Sequence, residues 1–370
     1  MSDRASVLVV GAGIAGLSVA WEVARRGAAV TVLRSERPRT SLVAAGMLAP
    51  MPEALVTRSL VRLGSEALRY YPGFLEALAE DSAHPTGFTR SGVLRLAATP
   101  EDAALLREEA GTYEAAGLPS QWLGTRSARE IAPGLPASIA GALFSFDEAQ
   151  VQPEWILAAL EEAAFRRHVE TAAGEVVDIR SVPGGAEVKL RDGARLAADR
   201  VVVAAGSWSG EVGGTALPVR PVKGQLLAFS GAVGPAPIVY SGHNYLLTKA
   251  DGSVLLGGTM EEAGFSLQAD AEGGRLRELL PGMWPALAGV SAQTRVGLRP
   301  AAPDGLPICG PLPGMGAVYA FTAHFRNGFL LCPHGAHLAA AEILEGRPQE
   351  LLATLRPRRF AAAAPVGPPA

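Results

Sequence analysis

Three stretches of this 370-residue chain hold side chains that can do chemistry. Arg299 stands in "RVGLRPAAPDG", where a guanidinium offers a planar fork that matches a carboxylate with two parallel N–H donors. The plainer reading is an arginine that caps a loop ahead of Pro300. Tyr245 follows His243 in "SGHNYLL"; its hydroxyl can donate to an anion and its ring can wall a pocket, or simply fill a core. Arg326 lies in "HFRNG", a polar knot between two apolar runs, as a site group or as an ion pair that shapes the loop. His243 and His324 have the chemistry of general bases, but nothing in their spacing turns them toward a substrate, and neither is assigned that task. Cys309 and Cys332 form no disulfide framework and no metal-ligand pair; they read as small buried hydrophobes, and no metal is expected.

Such groups need a frame. "SVLVV" is a β-branched run of the kind that forms a buried parallel strand, and it leads directly into "GAGIAG", Gly11 to Gly16. "LSVAWEVARRG" then has a helical pattern ending at Gly27, and "AAVTVL" is a second strand. Strand, glycine loop, helix, strand is the context that a G-x-G-x-x-G match requires. Gly11 allows the tight turn, Gly13 lets backbone approach a pyrophosphate, and Gly16 lets the helix pack close to the strand. The helix N-terminus adds N–H donors and a partial positive charge for phosphates. This much predicts a dinucleotide site without choosing NAD(P) or FAD.

Farther along, 53–82 has helical periodicity, and "GFTRSGVLRLAAT" suggests a hairpin or a pair of strands. Thr99–Pro100 opens an acidic helix as a cap followed by an N1 proline. "AGALFSFDEAQVQPEWILAALEEAAFRR" joins a strand to a helix that starts near Pro153. Residues 172–210 read as three strands with turns at Pro183–Gly185 and Asp192–Gly193, the last strand ending in small residues that could again touch a nucleotide. "GQLLAFS" and "YLLTKADGSVLLGGT" suggest an antiparallel sheet, and "GAVYAFT" with "FLLCPHGAHLAAAEILEG" returns to strand and helix. The expected organisation is discontinuous. Residues 1–85, 142–216 and 297–352 form the nucleotide domain, 86–141 and 217–296 form the substrate domain, and 356–370 form a disordered Pro/Ala-rich tail. A ligand cleft is expected where the domains meet.

Bulk properties narrow the function classes. Apolar residues are 48% and charged residues 19%, ordinary for a globular protein. A net charge of −3 gives no pull toward nucleic acid or anionic membrane. The basic side chains are nearly all arginine, a skew that codon usage explains better than chemistry. Three glycines interrupt the apolar N-terminus and no small-residue cleavage site closes it, so no signal peptide is expected. No apolar run reaches the length of a membrane span, and two isolated cysteines suit the reducing cytoplasm.

Several separated stretches resemble one family. "VVGAGIAGLSVAWEVARRG", "VAAGMLAP", "DEAQVQPEWILAAL", "RVVVAAGSWSG", "YLLTKADGSVLLGGTME", "VGLRPAAPDGLPICGP" and "HFRNGFLLCP" occur in order across residues 7–333 and are similar to the glycine oxidases of the D-amino-acid oxidase superfamily. "AAGML" and the last two stretches are the specific ones. The resemblance implies an α/β fold: a Rossmann-like FAD-binding domain of the glutathione-reductase type, and a second α+β substrate domain built on an antiparallel sheet. It implies noncovalent FAD, and a hydride leaving the α-carbon of a small amino acid. O2 reoxidises the flavin to give H2O2, and the imine hydrolyses to glyoxylate and ammonia, in the service of thiamine thiazole synthesis. It also implies a homo-oligomer, a tetramer in the family. The rival within oxidoreductases is a D-amino-acid dehydrogenase that passes electrons to a quinone; a nucleotide-binding homologue with impaired FAD binding is the non-catalytic alternative.

Carried over position by position, the resemblance places FAD against Gly11, Gly13, Ile14, Ala15 and Gly16, then Thr40, Ser41, Ala45, Gly46 and Met47. The adenine contact falls on Val176, with Val177 as alternative, and the isoalloxazine is wrapped by His324, Phe325, Arg326, Asn327, Gly328, Phe329 and Leu330. Arg299 pairs the substrate carboxylate, Tyr245 and Arg326 complete the site, and Met47 could line the substrate face or merely pack.

One position departs from this pattern. The second strand of such a fold ends in Asp or Glu, which holds a ribose hydroxyl, and the resembling family has an acid there too. This chain has Arg34, which alone would favour the 2′-phosphate of NADP, but an NADP reading explains none of the later stretches. Arg34 and Ser35 remain as backbone contacts, and Glu36, on the same side of the strand, could reach the ribose if the strand continues. The adenosine contact is thus weakened, compensated elsewhere or not at all. An Arg34→Glu variant should retain FAD more tightly in an apoprotein titration; equal or weaker retention would refute the reading.

Overall fold

A computed structural model describes residues 4–53 and 58–360. A six-stranded sheet runs, in spatial order, Ile308–Leu312, Met315–Thr322, Arg200–Val203, Ser6–Val10, Ala29–Arg34, Glu170–Ala173. All neighbours are parallel except the antiparallel edge pair Ile308–Leu312 and Met315–Thr322. Helices cover one face of the central strand and a three-stranded antiparallel sheet (Val176–Val182, Gly185–Leu190, Arg195–Ala198) covers the other, so its residues need no polar alternation: Val7 and Val9 are buried toward the helices, Leu8 and Val10 toward the small sheet. Each buried valine contributes about 1.5–3 kcal/mol. Helix Ile14–Arg25 packs against the C-terminal helix Gly328–Glu345 and against Pro153–Arg166. Gly346, at φ 66°, caps the C-terminal helix in the left-handed conformation that its missing Cβ allows.

The second layer is an eight-stranded sheet in the order Gln293–Ala301, Arg220–Phe229, Val254–Gly257, Asn244–Thr248, Ile238–Ser241, Val93–Ala97, Gly141–Ser145, Ser120–Leu123. It is antiparallel except where Ile238–Ser241 meets Val93–Ala97. Gln293–Ala301 pairs along its whole length with Arg220–Phe229, from Arg220↔Ala301 onward. This sheet therefore takes in residues on both sides of the boundaries drawn at 142 and 297. The same strand thereby delivers Arg299 to the junction of the two layers.

Three local readings change. Residues 170–203 hold five strands, because Glu170–Ala173 joins the edge of the parallel sheet and Arg195–Ala198 is split from Arg200–Val203 at Asp199. The Asp199 carboxylate accepts from the Ser6 amide at 2.7 Å and the Ser6 hydroxyl at 2.8 Å, which pins that corner. "GFTRSGVLRLAAT" gives one strand, Val93–Ala97, with Thr89 bridging Gln150. The helix expected over 53–82 is present as Arg58–Asp81, and residues 54–57 lie outside the described ones. The disorder expected from 356 is corrected for its first residues. Pro357–Phe360 forms a 3-10 turn, held by an Arg356–Glu342 ion pair and by Arg359 on Asp304 at 2.7 Å. Residues 361–370 lie outside the described ones. The helix opened by Thr99 has a reciprocal cap: Thr99 accepts from the Asp102 amide, and the Asp102 carboxylate accepts from the Thr99 amide.

Candidate active site

Two joined cavities lie between the layers. The larger is about 390 Å³, within the ~300–1,000 Å³ of typical ligand sites. Its floor is the glycine loop. Gly11 has φ 113°, and a Cβ there would stand 2.4 Å from the Ala204 carbonyl oxygen. A Cβ on Gly16 would fall 1.9 Å from the Gly11 carbonyl oxygen, so the helix can approach its strand only without one. Helix Ile14–Arg25 starts with no side-chain cap and no acidic residue in its first turn. By helix geometry its first amides lack intrahelical acceptors and are suited to an anion. The Ile14 amide is the exception, donating to Ser41 Oγ at 3.1 Å.

Gly11, Gly13, Ile14, Ala15, Arg34, Ser35, Thr40, Ser41, Val176, His324, Phe325, Arg326, Gly328 and Phe329 all line this cavity, as does Val177. Gly16, Asn327 and Leu330 do not. Gly16 serves packing, and Asn327 accepts from the Leu331 amide at 2.8 Å and so starts the C-terminal helix. Leu330 is buried beside Gly64. Glu36 lines only an outer depression with Arg34, Arg37 and Arg39. Ala323 at φ 58° and Phe325 at φ 47° are non-glycine residues in the left-handed region. That strain is sustained where His324–Asn327 folds back beneath the cavity, with the Phe325 amide on the Pro300 carbonyl at 3.0 Å.

The smaller cavity is about 80 Å³, room for several times the ~10–15 Å³ that one water requires. It shares Thr40, Ala44, Phe325, Arg326 and Phe329 with the larger one. Ala45, Gly46, Met47, Tyr245, Arg299 and Arg326 meet here, and no carboxylate lines it. Glycines make the space. A Cβ on Gly224 would sit 2.1 Å from Arg299 Nη1, and one on Gly257 would sit 2.3 Å from the Tyr245 hydroxyl oxygen. Arg299 Nη1 donates to the Thr259 carbonyl at 2.7 Å. Thr259 is in turn held by Gln225, whose amide donates to Thr259 Oγ1 at 2.9 Å. Arg326 Nη2 donates to the His243 carbonyl at 3.2 Å, so His243 contributes backbone here while its side chain is exposed.

His324 is buried 3.9 Å from Cys309 Sγ, and burial pulls its imidazole down to about 3. It is therefore neutral throughout the physiological range. Burial likewise pushes the Cys309 thiol up to about 12 and raises the Cys332 thiol, so neither is a ready nucleophile. Among the described residues no cluster of His, Cys, Asp and Glu is suited to a metal, and no helix is long and apolar enough to cross a membrane.

Sequence reasoning passed over Lys249. It is 4% exposed, and its Nζ donates to the carbonyls of Ala45 at 2.6 Å and Val151 at 2.5 Å. Burial lowers its ammonium to about 8. It fastens the Ala45–Met47 wall of the smaller cavity, next to Ala44, which lines both. One lysine in the apolar run "YLLTKADG" was the available signal, since lysine is almost never fully buried without partners. "LGGT" was another, because glycines within a strand mark a close approach.

The fold and the glycine loop define a dinucleotide-binding protein with a second, smaller cavity beside the nucleotide space. The family described as FAD dependent oxidoreductase matches residues 6–342, and the chain belongs to that family. It is 31% identical over 353 residues to a glycine oxidase of Geobacillus kaustophilus, covering 90% of this chain and 91% of that one. It is 31% identical to a bifunctional ThiO/ThiG protein of Trichormus variabilis, over 96% of this chain and 55% of that longer protein. The crystal structure of glycine oxidase from Geobacillus kaustophilus superposes with a TM-score of 0.88 at 29% identity, covering 96% of this chain and 98% of that one. Iminodiacetate oxidase from Chelativorans superposes at 0.84 and 28% identity, covering 95% and 98%. The protein is thus an FAD-dependent oxidoreductase, and the glycine cradle and the uncapped helix N-terminus on the larger cavity fit that cofactor.

Replacing Lys249 with methionine should destabilise the protein by about 2 kcal/mol or more, because two buried carbonyls lose their donor. FAD retention should fall with it. Urea unfolding and FAD titration of the variant check both effects.

Proposed function

We propose that the protein oxidises the Cα–N bond of a small amino acid, glycine first, with sarcosine and small D-amino acids as alternatives. The observation that carries this reading is the 80 Å³ cavity: two guanidinium groups and a tyrosine, no lining carboxylate, open to the cofactor space. Relatives named glycine oxidase support it, and the ThiO/ThiG relative supports a place in thiamine thiazole synthesis.

In this reading Arg299, steadied by the Thr259 carbonyl, grips the substrate carboxylate, and the Tyr245 hydroxyl donates to the same group. Two-point holding fixes the direction of the α-hydrogen. Arg326 adds positive charge at the mouth, and Met47 and Leu226 close the apolar side. When bound, FAD supplies the acceptor for the hydride that leaves the α-carbon, and O2 takes the electrons away as H2O2. The imine released is hydrolysed by water to glyoxylate and ammonia. No side chain has to remove a proton if the amine enters neutral; His324 is buried, and His243 contributes its carbonyl. The FAD contacts in this reading are Gly11, Gly13, Ile14, Ala15, Arg34, Ser35, Thr40, Ser41, Val176, His324, Phe325, Arg326, Gly328 and Phe329 along the larger cavity, with Ala45, Gly46 and Met47 where the smaller one adjoins it.

Glycine added anaerobically should bleach the flavin, and air should then yield H2O2. Absence of bleaching by glycine, sarcosine and D-alanine would sink the substrate assignment; bleaching without H2O2 would move the protein to the quinone-linked dehydrogenases. Arg299→Ala should keep FAD but raise KM for glycine strongly, a loss of roughly 3 kcal/mol from a pair of charge-assisted hydrogen bonds. Steady-state kinetics on the yellow variant measures it.

A further inference from the structure

Glu175 stands in the turn between strands Glu170–Ala173 and Val176–Val182. Parallel pairing sets Arg34 opposite Ala173, and the Gly174 amide donates to the Arg34 carbonyl at 3.0 Å. Glu175 therefore leaves its strand at the level where Ala29–Arg34 ends. In a dinucleotide fold the acid for the ribose belongs at that level, on the second strand. This chain has arginine at the end of the second strand and glutamate in the turn that follows the strand beside it, and both line the larger cavity with Val176.

The carboxylate is held in a fixed pose. Oε1 accepts from Arg37 Nε at 3.0 Å, Arg37 Nη2 at 2.5 Å and Arg191 Nη2 at 2.7 Å. Oε2 accepts from Arg191 Nε at 2.9 Å, its one donor among the described residues. A carboxylate oxygen carries two lone pairs, so Oε2 keeps one acceptor position. Arg37 is steadied in turn, its guanidinium 5.4 Å from the Trp208 ring, and Trp208 lines the same cavity. Hydrogen bonds from Arg191 and then Arg37 hold the Glu175 carboxyl down at about 2, so it is an acceptor at any working pH.

We propose that Glu175 accepts a hydrogen bond from a ribose hydroxyl in the adenosine half of FAD, doing from the neighbouring strand what Arg34 cannot do from its own. This rests on the FAD family assignment and is independent of which amine is oxidised.

The test uses full-length apoprotein, titrated by flavin fluorescence with FAD and with FAD analogues lacking the 2′- or the 3′-hydroxyl of that ribose. Wild-type protein should bind one analogue about tenfold or more weaker than FAD, the scale of a hydrogen bond to a charged group. Glu175→Gln should weaken FAD by a similar factor, yet bind that analogue about as well as wild type does, because the contact is then removed only once. Equal weakening of all three ligands by Glu175→Gln would reduce the residue to a brace for Arg37 and Arg191 and overturn the proposal. Equal binding of all three by wild type would overturn it even if the variant failed to fold. Arg34→Glu should improve FAD binding more in the Glu175→Gln background than in wild type; equal gains in both would also count against it.

Discussion

The carbonyl oxygen of Leu298 receives two hydroxyl groups from the nucleotide-binding layer, Thr40 Oγ1 and Ser207 Oγ, each at 2.6 Å. Leu298 is one residue before Arg299, on the strand that edges the antiparallel sheet. This shared acceptor fixes the distance between the two layers at the point where the cavities open into one another. Thr40 belongs to the segment leading to Ala45–Met47, and Ser207 follows the strand that ends beside Gly11. Slippage between the layers would have to break both hydroxyl contacts, each worth about 1 kcal/mol net. Positioning of the arginine thus comes from the layer that does not carry it.

Much of this was legible in the sequence where a residue type has only one physical use. Gly11 and Gly16 could be read because strand, loop and helix surround them and no other residue tolerates those contacts. The Thr99–Pro100 cap was readable for the same reason. Meeting of Arg299, Tyr245, Arg326 and Met47 in one small cavity matched the resemblance, although periodicity alone could not have joined strands some 50 residues apart. The five strands over 170–203 were read as three because two are four-residue edge pieces whose existence depends on partners distant in sequence. Lys249 and Glu175 escaped because their role lies in what they touch: a buried amine among carbonyls, and a carboxylate between two guanidiniums.

In the proposed reading, the adenosine end of the larger cavity has its charge redistributed rather than lost. Arg34, Arg37 and Arg191 gather there with Glu175 among them, and Glu36 faces outward. Neighbouring parallel strands end at the same height, so an acidic group can move sideways between them without changing its depth in the cavity. A fingerprint read along one strand would record only a missing acid.

Gly224, Gly257 and Gly258 give their space to the Arg299 and Tyr245 side chains, and so the smallest residues of the site hold its largest functional groups in place. Mutational drift is then one-sided. A side chain gained at Gly224 or Gly257 must displace Arg299 or Tyr245, so in the proposed reading neither position can be used to tune what the enzyme accepts. Diversification within such a lineage is channelled to Met47 and Leu226 on the apolar wall and to the rim around Arg326, where volume can change without moving the clamp.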